Sequence, residues 1–172
     1  MHKLLIRDLG EKELIKRLSK YMPDKQICDD CAYLKLNKNE LLINTDLMVE
    51  ETHFKDDILL PIDIGWKAIA CNYSDLLSSG CEQMIGINIG LVIPPETELI
   101  WVEELYKGIN LGLKEFGGEI LGGDISKGSQ KSISINAIGL QGPLIMRRYA
   151  SKPGDILLTT GAHGLSKLGL IF

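Results

Sequence analysis

No run of apolar residues approaches the roughly 18 needed to span a bilayer, and the stretch from Met1 to Arg7 is too short in apolar residues for a signal peptide. Positive charge is not in excess either. Lys and Arg number 19 against 23 Asp and Glu, a formal charge of −4. That balance argues against nucleic acid as a partner, because phosphate-binding surfaces recruit surplus Lys and Arg. It leaves nucleotides open, since a metal ion can supply the missing charge. Cysteine is limited to four residues and histidine to three. Cys28-Asp29-Asp30-Cys31 has bare Cys-x-x-Cys spacing, but Cys71 and Cys81 form no second tight pair of the kind a structural zinc site uses. A thioredoxin-like pair should open a helix, whereas Cys31 leads into an expected strand. Reduced thiols in a soluble, cytoplasmic protein are the expectation. Two phosphate-binding signatures are also missing. The segment from Gly123 to Gln130 lacks the Lys-Ser/Thr ending of a Walker A loop, and no Gly-x-Gly-x-x-Gly fingerprint occurs.

What is present fits a globular chain of 172 residues, 45% hydrophobic and 24% charged, enough for one domain or a domain plus part of another. Periodicity predicts a short amphipathic helix over Glu11 to Tyr21 and strands over Cys31 to Leu36 and Glu40 to Val49. In the second strand Leu41, Ile43, Thr45, Leu47 and Val49 share one face, and Asn44 and Asp46 share the other. A helix is expected over Asp63 to Ser79, with Trp66, Ile69, Ala70, Tyr73, Leu76 and Leu77 at helical spacing and Gly80 stopping it. Met84 to Ile93 reads as a strand with Ile85, Ile87, Ile89, Leu91 and Ile93 on one face and Gly86, Asn88 and Gly90 on the other. A helix from Glu96 to Phe116 packs through Trp101, Leu105, Gly108, Ile109, Gly112 and Phe116. Gly122-Gly123-Asp124 reads as a turn, Ser132 to Leu140 as a half-buried strand and Asp155 to Thr160 as a last strand. Residues 164–172 look like the start of an amphipathic helix, read either as a docked terminal helix or, the favoured expectation, as a chain that stops inside a second domain.

Aspartates recur at separated points, each against an apolar segment: Asp29-Asp30, Asn44-Thr45-Asp46, Asp75 and Gly122-Gly123-Asp124. Each taken singly reads as a turn or a wet surface. Brought together they would repel one another unless a cation sat among them. Hard oxygen donors without a supporting His/Cys set point to Mg²⁺ rather than Zn²⁺, and Mg²⁺ on few protein ligands points to phosphate chemistry. Arg147-Arg148 reads either as a phosphate grip or as a solvated pair. His53 reads as a surface residue or a substrate contact.

In order and spacing these segments resemble the thiamine-monophosphate kinase family, of the superfamily that includes aminoimidazole ribonucleotide synthetase. The resemblance rests on Asp29-Asp30-Cys31-Ala32, on Thr45-Asp46-Leu47-Met48-Val49-Glu50 followed by His53-Phe54, on Gly65-Trp66-Lys67-Ala68 through Asn72-Tyr73-Ser74-Asp75, on Gly122-Gly123-Asp124, and on Arg148 to Asp155. It implies an α+β fold with a mixed or antiparallel sheet and helices on one face, like the aminoimidazole ribonucleotide synthetase N-terminal domain. Residues 1–146 would form the ATP- and Mg-binding N-terminal domain, and 147–172 would begin a truncated C-terminal domain. The implied reaction is direct, Mg²⁺-assisted transfer of the γ-phosphoryl of ATP to thiamine monophosphate, giving thiamine diphosphate, in a homodimer. By the same pattern Asp30, Asn44, Thr45, Asp46, Asp75 and Asp124 line the metal site. Tyr106, Gly123, Asp124 and Arg148 contact ATP, and His53 contacts the substrate. No side chain is expected to act as a covalent nucleophile. Cys28 stands where the family has Gly, Asn44 where it has a hydroxyl residue, and Ala162-His163-Gly164-Leu165 departs from its Thr-Leu-Gly-Asp. The alternatives are another ATP-using superfamily member, of purine-biosynthesis, selenophosphate or hydrogenase-maturation type, or a non-catalytic nucleotide-binding or dimerisation fragment.

Overall fold

The computed structural model describes residues 4–23, 29–36, 39–159 and 161–169. Cys28 lies outside them, so the Cys28–Cys31 spacing is not described as a pair. Five strands form one sheet: β1 (Ala32–Leu36), β2 (Asn39–Val49), β3 (Cys81–Ile93), β4 (Glu119–Lys127) and β5 (Ser132–Gln141). Their order is β1-β2-β5-β3-β4, with β3 and β4 parallel and every other neighbouring pair antiparallel. The parallel pair is joined by a helical crossover, as parallel strands require.

Helices α1 (Glu11–Leu18), α2 (Pro61–Ser78), α3 (Leu99–Phe116) and α4 (Leu165–Gly169) complete the described elements, with one 3₁₀ turn over Ile6–Asp8 before α1 and another over Ser19–Tyr21 continuing it. Helix α2 starts two residues before the expected Asp63 because Pro61 suits the first helical position, where its missing N–H costs nothing. It ends as expected. Gly80, at φ +88°, takes the left-handed conformation, and its N–H bonds to the Leu77 carbonyl. Helix α3 starts at Leu99, after a turn closed by the Thr97 N–H on the Pro94 carbonyl.

The core lies between the sheet and the α2/α3 pair. Leu42, Met84, Ile87, Ile89, Leu91, Ile133, Ile135 and Ala137 of the sheet meet Ile64, Ala68, Ile69 and Leu76 of α2, and Leu105, Ile109 and Leu113 of α3. Each large aliphatic side chain so buried contributes about 1.5–3 kcal/mol. The helices come together where they lack side chains: a Cβ on Gly65 would meet the Leu105 carbonyl, and one on Gly108 the Ile62 carbonyl.

Four expectations need correction. Gly122-Gly123-Asp124 is not a turn but the middle of edge strand β4, where a Cβ on Gly123 would strike the Ile89 backbone. Residues 155–159 form no strand and are exposed, and Thr160 lies outside the described residues. Ile85 does not join the buried face of β3, because register shifts between Met84 and Gly86 and puts Met84 inside. A bulge of this kind inserts one residue and resets the alternation. In α2, Trp66 and Leu77 are exposed while Ile64, Gly65, Ala68 and Asn72 are buried, so the packing stripe is rotated from the expected one.

Candidate functional site

Strand β2 alternates as expected, but its covered face is the one carrying the polar residues. Leu42, Asn44 and Met48 are buried against α2 and Asp46 is half-buried, whereas Thr45 and Leu47 face the open side of the sheet. The spacing of α2 brings Asn72 and Asp75 to the same place. Asn44 is 4% exposed and donates through Nδ2 to the Asn72 carbonyl and to Asp75 Oδ2, both at 3.3 Å. Asn72 is 1% exposed and donates to the Ala68 carbonyl at 2.8 Å. The side-chain oxygens of both asparagines are buried without a protein partner.

Asp30 approaches from the segment before β1. Its carboxylate accepts two hydrogen bonds from Arg148, one at 3.1 Å from Nε and the other from Nη2, and takes a third at 3.5 Å from Ser78 of α2. The neighbouring Asp29 points elsewhere, to Arg147, whose guanidinium lies 3.0 Å from the centre of the Tyr33 ring. Burial pushes the Asp75 carboxyl above its ordinary range, the Asn44 hydrogen bond works against this, and the charges of Asp46 and Asp30 push it further up. Three carboxylates therefore feel one another with Arg148 as a nearby cation.

Asp46 opens onto a cavity of about 340 Å³ between β2 and α2, lined also by Thr52, His53, Lys67, Cys71 and Asn72. A second cavity of about 260 Å³, more apolar, shares Thr52, His53 and Lys67 with it. His53 accepts the Val49 N–H at Nδ1 (3.0 Å), and its carbonyl accepts Lys67 Nζ (3.0 Å). A ring whose Nδ1 accepts carries its proton on Nε2.

The remaining expected residues lie apart from this cluster. Thr45 accepts Asn136 Nδ2 at 2.8 Å on the open face. Asp124 shares a shallow recess with Leu47, Gly90, Ser126 and Ser134, also on that face. Tyr106 sits on α3, packed against the core, and burial raises its hydroxyl pKa. Among the described residues no group of three or more His, Cys, Asp or Glu is placed to hold a metal ion by itself. The groups near Asp75 nevertheless suit Mg²⁺: carboxylates crowd negative charge together there, and Asn44 and Asn72 beside them carry side-chain oxygens without a protein partner. Mg²⁺ keeps waters and shares phosphate oxygens, so it needs few protein ligands.

Lys67 and Asn72 were not singled out for the site by sequence reasoning. The signal was available in the helical spacing, since Lys67 and Cys71, like Ala68 and Asn72, stand one turn apart on α2.

The chain is 51% identical over 166 residues to thiamine-monophosphate kinase of Prochlorococcus marinus, which covers 96% of this chain and 50% of that protein. Among solved structures, AaThiL complexed with AMPPCP and TMP superimposes with a TM-score of 0.77 at 32% identity, covering 81% of this chain and 45% of that one. Thiamine monophosphate kinase from Aquifex aeolicus gives 0.71 at 32% identity, covering 80% and 44%. The chain thus spans about half the length of the relatives it matches. Residues 28–141, from the Asp29-Asp30 segment to the end of β5, match the AIR synthase related protein N-terminal domain, and the chain belongs to that family.

Proposed function

We propose that this chain is the nucleotide- and metal-binding part of a kinase that phosphorylates thiamine monophosphate with ATP, giving thiamine diphosphate. The observation that carries the reading is the convergence of Asp30, Asp46 and Asp75, from three separated segments, beside buried amide oxygens and an arginine. Similarity to thiamine-monophosphate kinases and to a structure holding AMPPCP and TMP supports the choice of substrates.

The protein's part in such a transfer is positioning and charge control. Mg²⁺ bound here would offset the charge of the phosphates. Asp30, Asn44, Asp46 and Asp75 would hold it on the helix-covered face, and Thr45 and Asp124 would hold a separate ion on the open face. Arg148 exchanges the Asp30 carboxylate for a phosphate oxygen of ATP, and Gly123 and Tyr106 meet other parts of the nucleotide. Lys67 and the Nε2–H of His53 hold the phosphate of thiamine monophosphate where the two cavities meet. No covalent intermediate with the protein is needed.

Three further parts of the reading are ours. Residues 1–146 are the nucleotide domain and 147–172 the beginning of a second domain. The protein works in the cytoplasm, and among the described residues no helix is long and apolar enough to cross a membrane. It pairs as a homodimer through the open sheet face, which carries Leu34, Leu47 and neighbouring aliphatics. Calorimetry with ATP, with and without Mg²⁺, and product analysis with thiamine monophosphate test the core of the proposal. Mg²⁺-dependent binding and thiamine diphosphate are expected. Binding without turnover would make the chain a nucleotide-binding fragment, and no binding by the folded chain would sink the reading.

A further inference from the structure

We propose that Lys131, which lines neither cavity, is the positioning residue that sets His53 for its phosphate ligand by clamping both ends of the loop that carries it. The proposal rests on the functional reading above.

His53 sits in a tight loop between β2 and α2. The loop reverses at Glu51, whose φ of 64° is costly for a side-chain-bearing residue and needs support from its surroundings. Internal hydrogen bonds run from the Glu51 N–H to the Phe54 carbonyl (2.8 Å) and from the His53 N–H to the Val49 carbonyl (2.8 Å). The support comes from the residues just before β5. Lys131 Nζ lies 2.8 Å from Glu50 Oε1 and 2.6 Å from Asp56 Oδ2, one carboxylate before His53 and one after it. The Lys131 N–H donates to Glu50 Oε2 at 3.1 Å, its carbonyl accepts the Glu50 N–H at 3.0 Å, and Gln130 Nε2 donates to the Glu50 carbonyl at 2.7 Å.

The side chain of Lys131 is only 12% exposed, so its charge is worth keeping only if paired. Burial pulls its pKa down, and the hydrogen bonds to Asp56 and Glu50 outweigh this and leave it raised. Trp101 closes the clamp from α3. Its ring lies 5.2 Å from Lys131 Nζ, its Nε1 donates to Asp56 Oδ1 at 3.1 Å, and it packs against Phe54 at 6.4 Å. The charged cluster, the aromatic pair and the Val49–His53 hydrogen bond therefore form one connected unit. Its exit is the His53 ring, whose Nδ1 accepts the Val49 N–H and so leaves the ring proton to Nε2.

The test reads the His53 ring directly. Nitrogen-15 correlation spectra of the imidazoles are recorded for the chain without ligand, followed by titration with thiamine monophosphate. The unaltered chain should show one Nε2-protonated tautomer. Lys131→Met should average the two ring nitrogens and weaken thiamine monophosphate binding about tenfold, with Mg-ATP affinity unchanged. Lys131→Arg, which keeps the charge and can reach both carboxylates, should restore both signals. Ring nitrogens in folded Lys131→Met at the same shifts as in the unaltered chain would overturn the clamp. Should Lys131→Met not fold, Asp56→Asn removes one arm at a more exposed position, and unchanged ring shifts there would overturn it equally. A fixed tautomer with no thiamine monophosphate binding by the unaltered protein would instead refute the substrate assignment, leaving the ring measurement to judge the clamp.

Discussion

Asp75, a carboxylate of the proposed metal site, is set by its burial against the stability of the fold. Burial comes first and the charges of Asp46 and Asp30 add to it, so its pKa in the folded chain is raised above the ordinary value of 3.8. A raised carboxyl favours the fold below that ordinary value, and this contribution is lost as pH rises through the folded pKa. At neutral pH the ionised group therefore works against the fold. Asp75→Asn should raise stability at pH 7, by no more than about 1 kcal/mol because water screens a partly exposed carboxylate, while weakening Mg-ATP binding, and the stability gain should shrink as pH falls toward 4. Urea denaturation at two pH values and calorimetry measure both halves. Asp46→Asn should weaken Mg-ATP binding at least about tenfold with the far-UV spectrum unchanged, and unchanged affinity would remove Asp46 from the site. Cys31 is a thiol of the opposite kind. It is 2% exposed, donates to the Asp75 carbonyl, and burial lifts its pKa to about 11. Native alkylation at pH 8 followed by peptide mass spectrometry should leave it unmodified, because the thiolate is the reactive form.

At the scale of elements, the site depends on how closely α2 and α3 approach, because α2 carries Lys67, Asn72 and Asp75 on the side that meets β2. A methyl group at Gly108 would collide with the Ile62 carbonyl, which is backbone and cannot swing aside. Gly108→Ala should therefore destabilise the chain by about 1–3 kcal/mol or more, read as a lowered urea midpoint, and a midpoint within error of the parent would show that the helices can part cheaply. The elements themselves were largely legible. Helical and alternating periods placed α1, α2, α3, β2, β3 and β5 to within a few residues, and Gly80 ended α2 for the reason expected. What misled were residues whose local chemistry points one way and whose neighbours decide another. Gly122 and Gly123 favour a turn locally, yet β3 recruits them into β4, where Gly123 is needed for close approach to Ile89. The apolar stretch after Asp155 reads as a strand, but no described strand pairs with it and Ile156, Leu157 and Leu158 remain exposed.

For the whole molecule, the sheet has two unlike faces. One is sealed by α2 and holds the Asp30–Asn44–Asp46–Asp75 cluster, and the other exposes Leu34 and Leu47 beside Thr45 and Asn136. An exposed aliphatic sheet face is a natural surface for a second copy. Leu47→Lys should turn the proposed dimer into a monomer by light scattering, and a parent chain that is already monomeric at micromolar concentration would refute the dimer. The ordered motifs around Asp30, Asp46, Asp75 and Asp124, with His53-Phe54, were what pointed to the family and through it to phosphate chemistry, and strand alternation alone separated Asn44 and Asp46 from Thr45. Which of those faces lies under α2, that Asp124 stands on the other side of the sheet from Asp46, and that Lys131 reaches across to the His53 loop were decided only by the tertiary structure. Periodicity records that residues share a face because that follows from backbone geometry along one segment. It cannot record which face is covered, or what meets it, because that is set by contacts between segments distant in the chain.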